Sequence, residues 1–170
     1  MKKFFYFKKI GKDLQAYQFK TFLIGIDKQK STEEERKLLK RELGQMIEEK
    51  LGKQVDFANP DIVIKIDLKY QTINYQIKPL YFYGRYQKIK AGIPQTRWHK
   101  KIYHTSVQEE IGEVILKHTQ GDKHVFHGCG REDIDVLMLG TGRPFVVEIK
   151  KPKIRDINLE EIRKKINQSK

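Results

Sequence analysis

Cysteine is almost absent from this sequence, which has one such residue, Cys129, among 170. One cysteine cannot build a disulfide framework, and by itself it cannot supply the ligands of a structural zinc site. Long hydrophobic runs are also missing, since lysines close in on the apolar segment Phe4–Phe7 before a signal-peptide core could form. These absences argue against secretion or a membrane span and predict a cytosolic, cytoplasmic protein.

Acidic residues are absent from the segment Leu68–Gln108, here called the basic aromatic stretch. Its cations are Lys69, Lys78, Arg85, Lys88, Lys90, Arg97, Lys100 and Lys101, and its rings are Tyr70, Tyr75, Tyr81, Phe82, Tyr83, Tyr86, Trp98 and Tyr103. The whole chain has a net charge of +13. Interleaved rings and cations suit RNA, because bases stack while phosphates pair. Nucleic acid is therefore the leading partner class; the alternative is core rings with lysines that only solubilise the surface.

A hydrophobic content of 38% allows a modest core and predicts a thin, two-layer α+β architecture. The apolar periodicity predicts strands over Phe19–Ile26, over the paired segments Ile62–Leu68 and Ile73–Ile77, and around Val125, Val136 and Phe145–Ile149. The capping residues predict three helices: one capped by Ser31 and ended by Gly52, one from Ser106 to near Gly121, and a last one capped by Asn158. The charge pattern predicts two small α+β units with a boundary near Lys100.

The segment Gly128–Phe145 packs carboxylates, arginines and glycines together, and we call it the glycine-framed segment. Alternation predicts a strand that places Asp133 and Asp135 side by side on one face. Like charges at that spacing raise the pKa of at least one carboxyl, whereas Arg131 and Arg143 nearby would keep a carboxylate ionised and ready to react, so the direction of the net effect stays open. The alternative is a β-hairpin with a Gly-Thr-Gly tip and solvated acids. The residues alone leave the choice between a site and a hairpin open.

Two strings carry a resemblance to a known family. Residues 83–88, Tyr-Gly-Arg-Tyr-Gln-Lys, run to Ile-Pro-Gln-Thr-Arg-Trp at 93–98, and Gly-Arg-Glu-Asp-Ile-Asp at 130–135 runs to Gly-Arg-Pro-Phe-Val-Val-Glu at 142–148. Together they resemble the archaeal and eukaryotic tRNA pseudouridine synthases that act on T-loop uridines 54 and 55. The resemblance implies a THUMP-like RNA-binding region over residues 1–101. It also implies that residues 102–170 form the N-terminal portion of a catalytic domain with a mainly antiparallel sheet.

The same resemblance implies roles for individual residues. Asp133 matches the catalytic aspartate, which either attacks the ribose C1′ or removes a sugar proton, and Asp135 is a supporting carboxylate. Arg131 resembles the residue that fills the space left by the flipped base, although a structural salt bridge from Arg131 to Glu132 or Glu148 is the alternative. The substrate and RNA-binding residues implied are Arg131, Arg143, Asp135, Arg85, Tyr86, Lys88, Arg97 and Trp98. The implied partner is tRNA, and no metal or organic cofactor is implied.

The sequence departs from the family pattern in three places. Leu137 stands where the family usually has an arginine, and the paired zinc-binding cysteines of the family are absent. The sequence also stops soon after Glu148, before the stacking tyrosine and the basic partner of the aspartate. We therefore expect an incomplete active site, either because the chain is a truncated portion of the enzyme or because it is one half of an enzyme encoded in two pieces, with a second polypeptide that supplies the C-terminal catalytic part. The rival hypothesis is a non-catalytic tRNA-binding module.

Overall fold

The structure, a computed structural model, describes residues 2–28, 31–98 and 102–168 of the chain. It divides into two compact units, residues 1–78 and 79–170, and each contains helices and one sheet. The first sheet is mixed and the second is antiparallel, so the α+β class predicted from the sequence is confirmed. Within the described ranges, no helix is both long and apolar enough to span a membrane.

The first unit places two helices against a four-stranded sheet. Its elements are α1 (Lys2–Leu14), β1 (Thr21–Ile26), α2 (Glu33–Leu51), β2 (Gln54–Val55), β3 (Ile62–Asp67) and β4 (Thr72–Ile77), with strand order β2-β1-β3-β4. β1 runs parallel to β2 and β3, and β4 is antiparallel to β3, as predicted for the last pair. Ile62, Ile64 and Ile66 alternate into a core shared with Leu43 and Ile47, because every second strand residue faces the same side.

The start of α2 differs by one residue from the prediction. Thr32, not Ser31, is the N-cap: its hydroxyl accepts from the Glu35 N–H at 3.2 Å, and the Glu35 carboxylate accepts from the Thr32 N–H at 2.9 Å. The sequence offers the same capping-box spacing in two registers, Ser31 with Glu34 and Thr32 with Glu35, and in the register observed Arg36 donates to the Ser31 carbonyl at 2.6 Å. The predicted end is confirmed, since Gly52 adopts φ +63° and donates to Glu48.

The second unit packs two helices on one face of a three-stranded sheet. Its elements are β5 (Leu80–Lys88), α3 (Val107–Thr119), β6 (Lys123–Gly128), β7 (Met138–Lys150) and α4 (Leu159–Asn167), with strand order β5-β7-β6. Val147 and Ile149 of β7 are fully buried. They share one core with Ile111 and Ile115 of α3 and Ile162 of α4. The predicted N-caps of α3 and α4 are confirmed, because both side chains accept hydrogen bonds from the first helical turn.

The division between the units lies between Lys78 and Pro79, not near Lys100. Strand β5 pairs with β7, with Tyr83 opposite Val146, and this pairing draws the second half of the basic aromatic stretch into the second unit. The charge pattern could not locate this division, because surface charge does not record which strands pair. Residues 99–101, including Lys100, lie outside the described residues.

Candidate active site

The glycine-framed segment contains a loop where a strand through Asp133 was predicted. β6 ends at Gly128 and β7 begins at Met138, so residues 129–137 form a loop, here called the 129–137 loop. Gly130 adopts φ +79°, in the left-handed region and outside the regular extended conformation. The Asp133 and Asp135 side chains are both exposed. The two carboxylates are therefore displayed from a loop and do not stand together on one face of a strand.

The Gly-Thr-Gly sequence does not form the tip of a hairpin. It lies inside β7, where Tyr86 of β5 pairs with Arg143 while Lys88 pairs with Met138. The four residues 139–142 therefore bulge out opposite one residue of β5. Arg143 follows this bulge directly, and its Nη1 donates to the Cys129 carbonyl in the 129–137 loop at 2.8 Å.

A buried carboxylate, Glu132, lies at the centre of the second unit's polar interior with 7% of its surface exposed. The Tyr86 hydroxyl lies 2.8 Å from both carboxylate oxygens, and Arg143 Nε donates to Oε2 at 2.8 Å. Lys88 Nζ is 4.0 Å from Oε1, and Gln95 Nε2 donates to the Tyr86 hydroxyl oxygen at 2.9 Å. We call these five residues the Glu132 cluster. The Glu132 carboxylate thus lies between the Lys88 and Arg143 cations, and each buried charge has an opposite charge beside it.

Lys88 connects the cluster to the main chain of the candidate catalytic residue. Its ammonium group is 1% exposed and donates to the carbonyl oxygens of Ile93, Asp133 and Ile134 at 3.1, 2.9 and 3.1 Å. The Gly92 N–H also donates to Ile134 O at 2.8 Å. The Asp133 carbonyl is therefore hydrogen-bonded to the buried Lys88, while the Asp133 side chain is exposed.

The sequence predicted for Glu132 no more than an alternative salt bridge with Arg131, because nothing in its local spacing distinguishes it from the exposed acids beside it. The alternation of β5 carried a usable signal, because Tyr86 and Lys88 lie on the same side of the strand as the half-buried Phe82. A tyrosine and a lysine on an inner face require a buried acceptor. Only the tertiary structure identifies Glu132 as that acceptor, because Tyr86 and Glu132 are 46 positions apart.

Burial raises the pKa of the Tyr86 hydroxyl to about 12. The hydrogen bond from Gln95 and the charge of Arg143 oppose this rise, whereas the hydrogen bond to Glu132 and its negative charge add to it. The neutral phenol is therefore the form that the folded protein favours.

A pH dependence of stability follows from this pKa. Because the folded pKa lies above the ordinary value of 10, the contribution of Tyr86 is complete below about pH 10 and is lost as the pH rises through about 12. We expect the Tyr86→Phe variant to show a flatter decline of unfolding free energy over this range than wild type, measured by urea denaturation. Tyr81→Phe, at an exposed ring, should keep the wild-type slope. Identical slopes for wild type and Tyr86→Phe would contradict the prediction.

The structure separates the residues predicted to bind RNA into two groups. The exposed group is Arg85, Arg97, Trp98, Arg131 and Asp135, and the remaining three, Tyr86, Lys88 and Arg143, belong to the Glu132 cluster. Tyr86 and Lys88 are buried because they lie on the inner face of β5, so neither presents its side chain to a ligand in this structure. Arg143 is mostly buried and donates Nε and Nη1 to Glu132 and to the Cys129 carbonyl.

Several exposed arginines have intramolecular contacts. Arg85 donates to the carbonyl oxygens of Thr141 and Gly142 at 2.8 and 2.7 Å, which braces the bulge of β7. Arg97 lies 3.1 Å from Glu109. The salt bridge considered for Arg131 is not formed, since Glu132 pairs with Arg143 and Lys88, and Glu148 lies beside His127. Among residues 2–28, 31–98 and 102–168, no three His, Cys, Asp or Glu side chains are grouped to hold a metal ion.

Known proteins match both units of the chain. The family described as "Pus10, C-terminal" matches residues 81–170, and "Pus10 THUMP domain, archaeal" matches residues 30–67. Similar curated proteins, each named tRNA pseudouridine synthase Pus10, come from Methanothermobacter marburgensis, Methanocaldococcus jannaschii and Thermoplasma acidophilum. They are 46%, 43% and 35% identical to this chain over 75%, 91% and 94% of its length.

The matches cover most of this chain but only part of each relative. The chain spans 36%, 40% and 45% of the lengths of these three proteins. The C-terminal family match covers more than half of the chain, and the THUMP match lies within its first unit. The resemblance seen in the two sequence strings is thereby confirmed at the level of the family. The chain belongs to the Pus10 family.

Proposed function

We propose that this chain is the RNA-binding and aspartate-bearing portion of a tRNA pseudouridine synthase that converts T-loop uridine 54, uridine 55 or both. The observation that carries the proposal is the state of Asp133, whose backbone is fixed by Lys88 while its carboxylate is exposed. A reactive group needs both a fixed position and access to the substrate. The similar proteins, each named tRNA pseudouridine synthase Pus10, support the same class of reaction.

The proposed reaction isomerises uridine without loss or gain of atoms. The glycosidic C1′–N1 bond breaks, the uracil rotates in its pocket, C5 bonds to C1′, and the C5 proton is released while N1 gains one. Asp133 assists by attacking C1′ as a carboxylate or by taking a sugar proton. The target base must leave its stack, and the exposed Arg131 is placed to occupy the vacated space. Asp135 supports the loop beside it.

We assign a different function to each of the two compact units. The first unit, which includes the THUMP match, serves as RNA-binding region, and the second carries the first part of the catalytic domain. The chain spans less than half of its relatives. We propose that the C-terminal portion of the enzyme, on a second polypeptide or farther along a longer chain, supplies the tyrosine that stacks on the uracil and the basic partner of Asp133.

Tritium release from tRNA labelled at C5 of uridine tests this function. The chain, the C-terminal portion of a Pus10 relative, and their mixture are assayed in parallel. We expect release from the mixture only, because C5 loses its hydrogen when it bonds to C1′. Transcripts with cytidine at position 54 or position 55 then identify the modified uridine. Absence of release from every sample would contradict the proposal.

A second candidate function is a tRNA-binding module without catalysis. The observation that favours it is the exposure of aromatic side chains beside cations, with Tyr83 and Trp98 exposed to 71% and 42%. Exposed rings stack on bases with little dependence on sequence. This alternative predicts tRNA binding without turnover, whichever polypeptide is added.

Both functions predict that Arg97 contacts a phosphate. For single-stranded RNA, log affinity falls with log salt at about −0.7 per neutralised phosphate. Arg97→Gln should therefore reduce the slope by about 0.7 and weaken tRNA binding at low salt, measured by filter binding over a salt series. The matched control is Arg163→Gln, because Arg163 is also an exposed arginine paired with a glutamate. A flat salt titration of the wild-type chain would rule out phosphate binding by the basic aromatic stretch.

A further inference from the structure

We propose that Glu132 is the positioning residue for the catalytic Asp133: its buried carboxylate holds the Glu132 cluster together, and the cluster holds the 129–137 loop. Glu132 itself faces inward and does not reach a substrate. Its action runs through the cations and amides that it orients. The catalytic part of this inference rests on the proposed function, whereas the structural part does not.

The cluster binds the loop on both sides of Glu132. At the start of the loop, Arg143 Nη1 donates to the Cys129 carbonyl at 2.8 Å, and Gln95 Nε2 donates to the Gly130 carbonyl at 2.9 Å. Farther along, Lys88 Nζ donates to the carbonyls of Asp133 and Ile134 at 2.9 and 3.1 Å. Four loop carbonyls thus accept hydrogen bonds from three side chains that surround a single carboxylate. Removing that carboxylate takes away the group that all three donor side chains surround.

The glycines of the segment show how closely the cluster and the loop are packed. A Cβ on Gly128 would lie 2.9 Å from Gln95 Nε2, and one on Gly130 would lie 2.6 Å from Arg143 Nη1. Both distances are below ordinary contact, so a side chain at either position would require Gln95 or Arg143 to move. The two glycines thus leave the donor atoms of the cluster room to reach the loop carbonyls.

The negative charge of Glu132 is the property that the cluster requires. Lys88 is almost fully buried and Arg143 mostly so, and cations in such places need a counter-charge. Glutamine has the same shape but is neutral, and it replaces one acceptor oxygen with an NH₂ group that faces other donors. Glu132→Gln therefore leaves the two cations without their partner and loosens their hold on the loop carbonyls.

Amide hydrogen exchange of Glu132→Gln tests the structural part on the chain alone. The Gly92 N–H reports directly, because it bonds to the Ile134 carbonyl across the loop. We expect its exchange to accelerate at least about tenfold, a factor that corresponds to about 1.4 kcal/mol, while the Val147 amide in the middle of β7 keeps its protection. The control is Glu148→Gln, because Glu148 is a half-buried glutamate on the same sheet paired with His127. Equal acceleration at Gly92 and Val147, or none at Gly92, overturns the proposal.

The catalytic part is tested by tritium release in the mixture with the C-terminal portion of a relative. We expect Glu132→Gln to lower kcat by about 10²-fold with KM nearly unchanged, because a displacement of about 1 Å costs that much while the RNA contacts remain. Glu132→Asp keeps the charge and should recover part of kcat, and it replaces Glu132→Gln in both assays if the latter does not fold. An unchanged kcat overturns the proposal. If wild type releases no tritium but Gly92 exchange responds as expected, the proposed function fails and the structural role of Glu132 stands.

Discussion

Asp133→Asn should lower tritium release by at least about 10³-fold while tRNA affinity stays nearly the same. Asparagine has almost the shape of aspartate, but it is neither a carboxylate nucleophile nor a base. The substitution leaves the Asp133 carbonyl and its hydrogen bond from Lys88 in place, so the loop should keep its conformation. The loss would then be in kcat, as expected for a group that acts on the reacting atoms.

Asp135→Asn is the matched control, since Asp135 is an exposed carboxylate two positions along the same loop. We expect a much smaller loss of tritium release, because Asp135 is assigned a supporting role. Retention of turnover by Asp133→Asn would end the catalytic assignment of Asp133. A greater loss in Asp135→Asn than in Asp133→Asn would exchange the roles of the two carboxylates.

Gly142→Ala should destabilise the second unit by about 2–5 kcal/mol. Gly142 adopts φ +71°, and a left-handed backbone costs an ordinary residue about 1–2 kcal/mol. A Cβ at this position would also lie 2.5 Å from the Tyr86 carbonyl oxygen, a main-chain atom of β5 that cannot rotate away. Overpacking of this kind adds about 1–3 kcal/mol. The variant should therefore open the bulge beside Arg143 and disturb the Glu132 cluster.

Gly140→Ala separates the two causes. Gly140 also has a positive φ, +66°, but a Cβ there would meet no atom within 4 Å. Its variant should lose only about 1–2 kcal/mol from backbone strain. Urea denaturation of both variants measures the difference in unfolding free energy. If Gly140→Ala were as destabilised as Gly142→Ala, the clash with Tyr86 would not be the dominant cause.

The regular elements were predictable where a local rule was sufficient. The alternation over β3 and β4 predicted paired strands, and Ser106, Asn158 and Gly52 marked helix ends correctly. Helix α1 was missed, because the aromatic and lysine residues of Lys2–Leu14 suggested a failed signal segment and its helical stability comes from packing against α2. The one-residue error at Thr32 arose because two capping boxes overlap in the sequence, and local spacing does not distinguish them.

The candidate site was predictable in location but not in geometry. The two strings of residues predicted it on the glycine-framed segment, which lies within the residues that the C-terminal family matches. The predicted strand through Asp133 is a loop, because alternation of side-chain types cannot distinguish an exposed strand from a loop supported by one buried residue. Residue Glu132 carried no local sign of burial.

The sequence by itself determined the family of this protein, its α+β class and the segment that bears the candidate carboxylate, because motif order and periodicity are local properties of a chain. Only the tertiary structure decided where the two units divide, that β5 pairs with β7, and that Lys88 and Arg143 enclose Glu132 beneath Asp133. These features depend on residues more than forty positions apart in some cases, such as Lys88 and Asp133. Contacts of that range depend on how strands pair and what becomes buried, and neither is visible in local spacing.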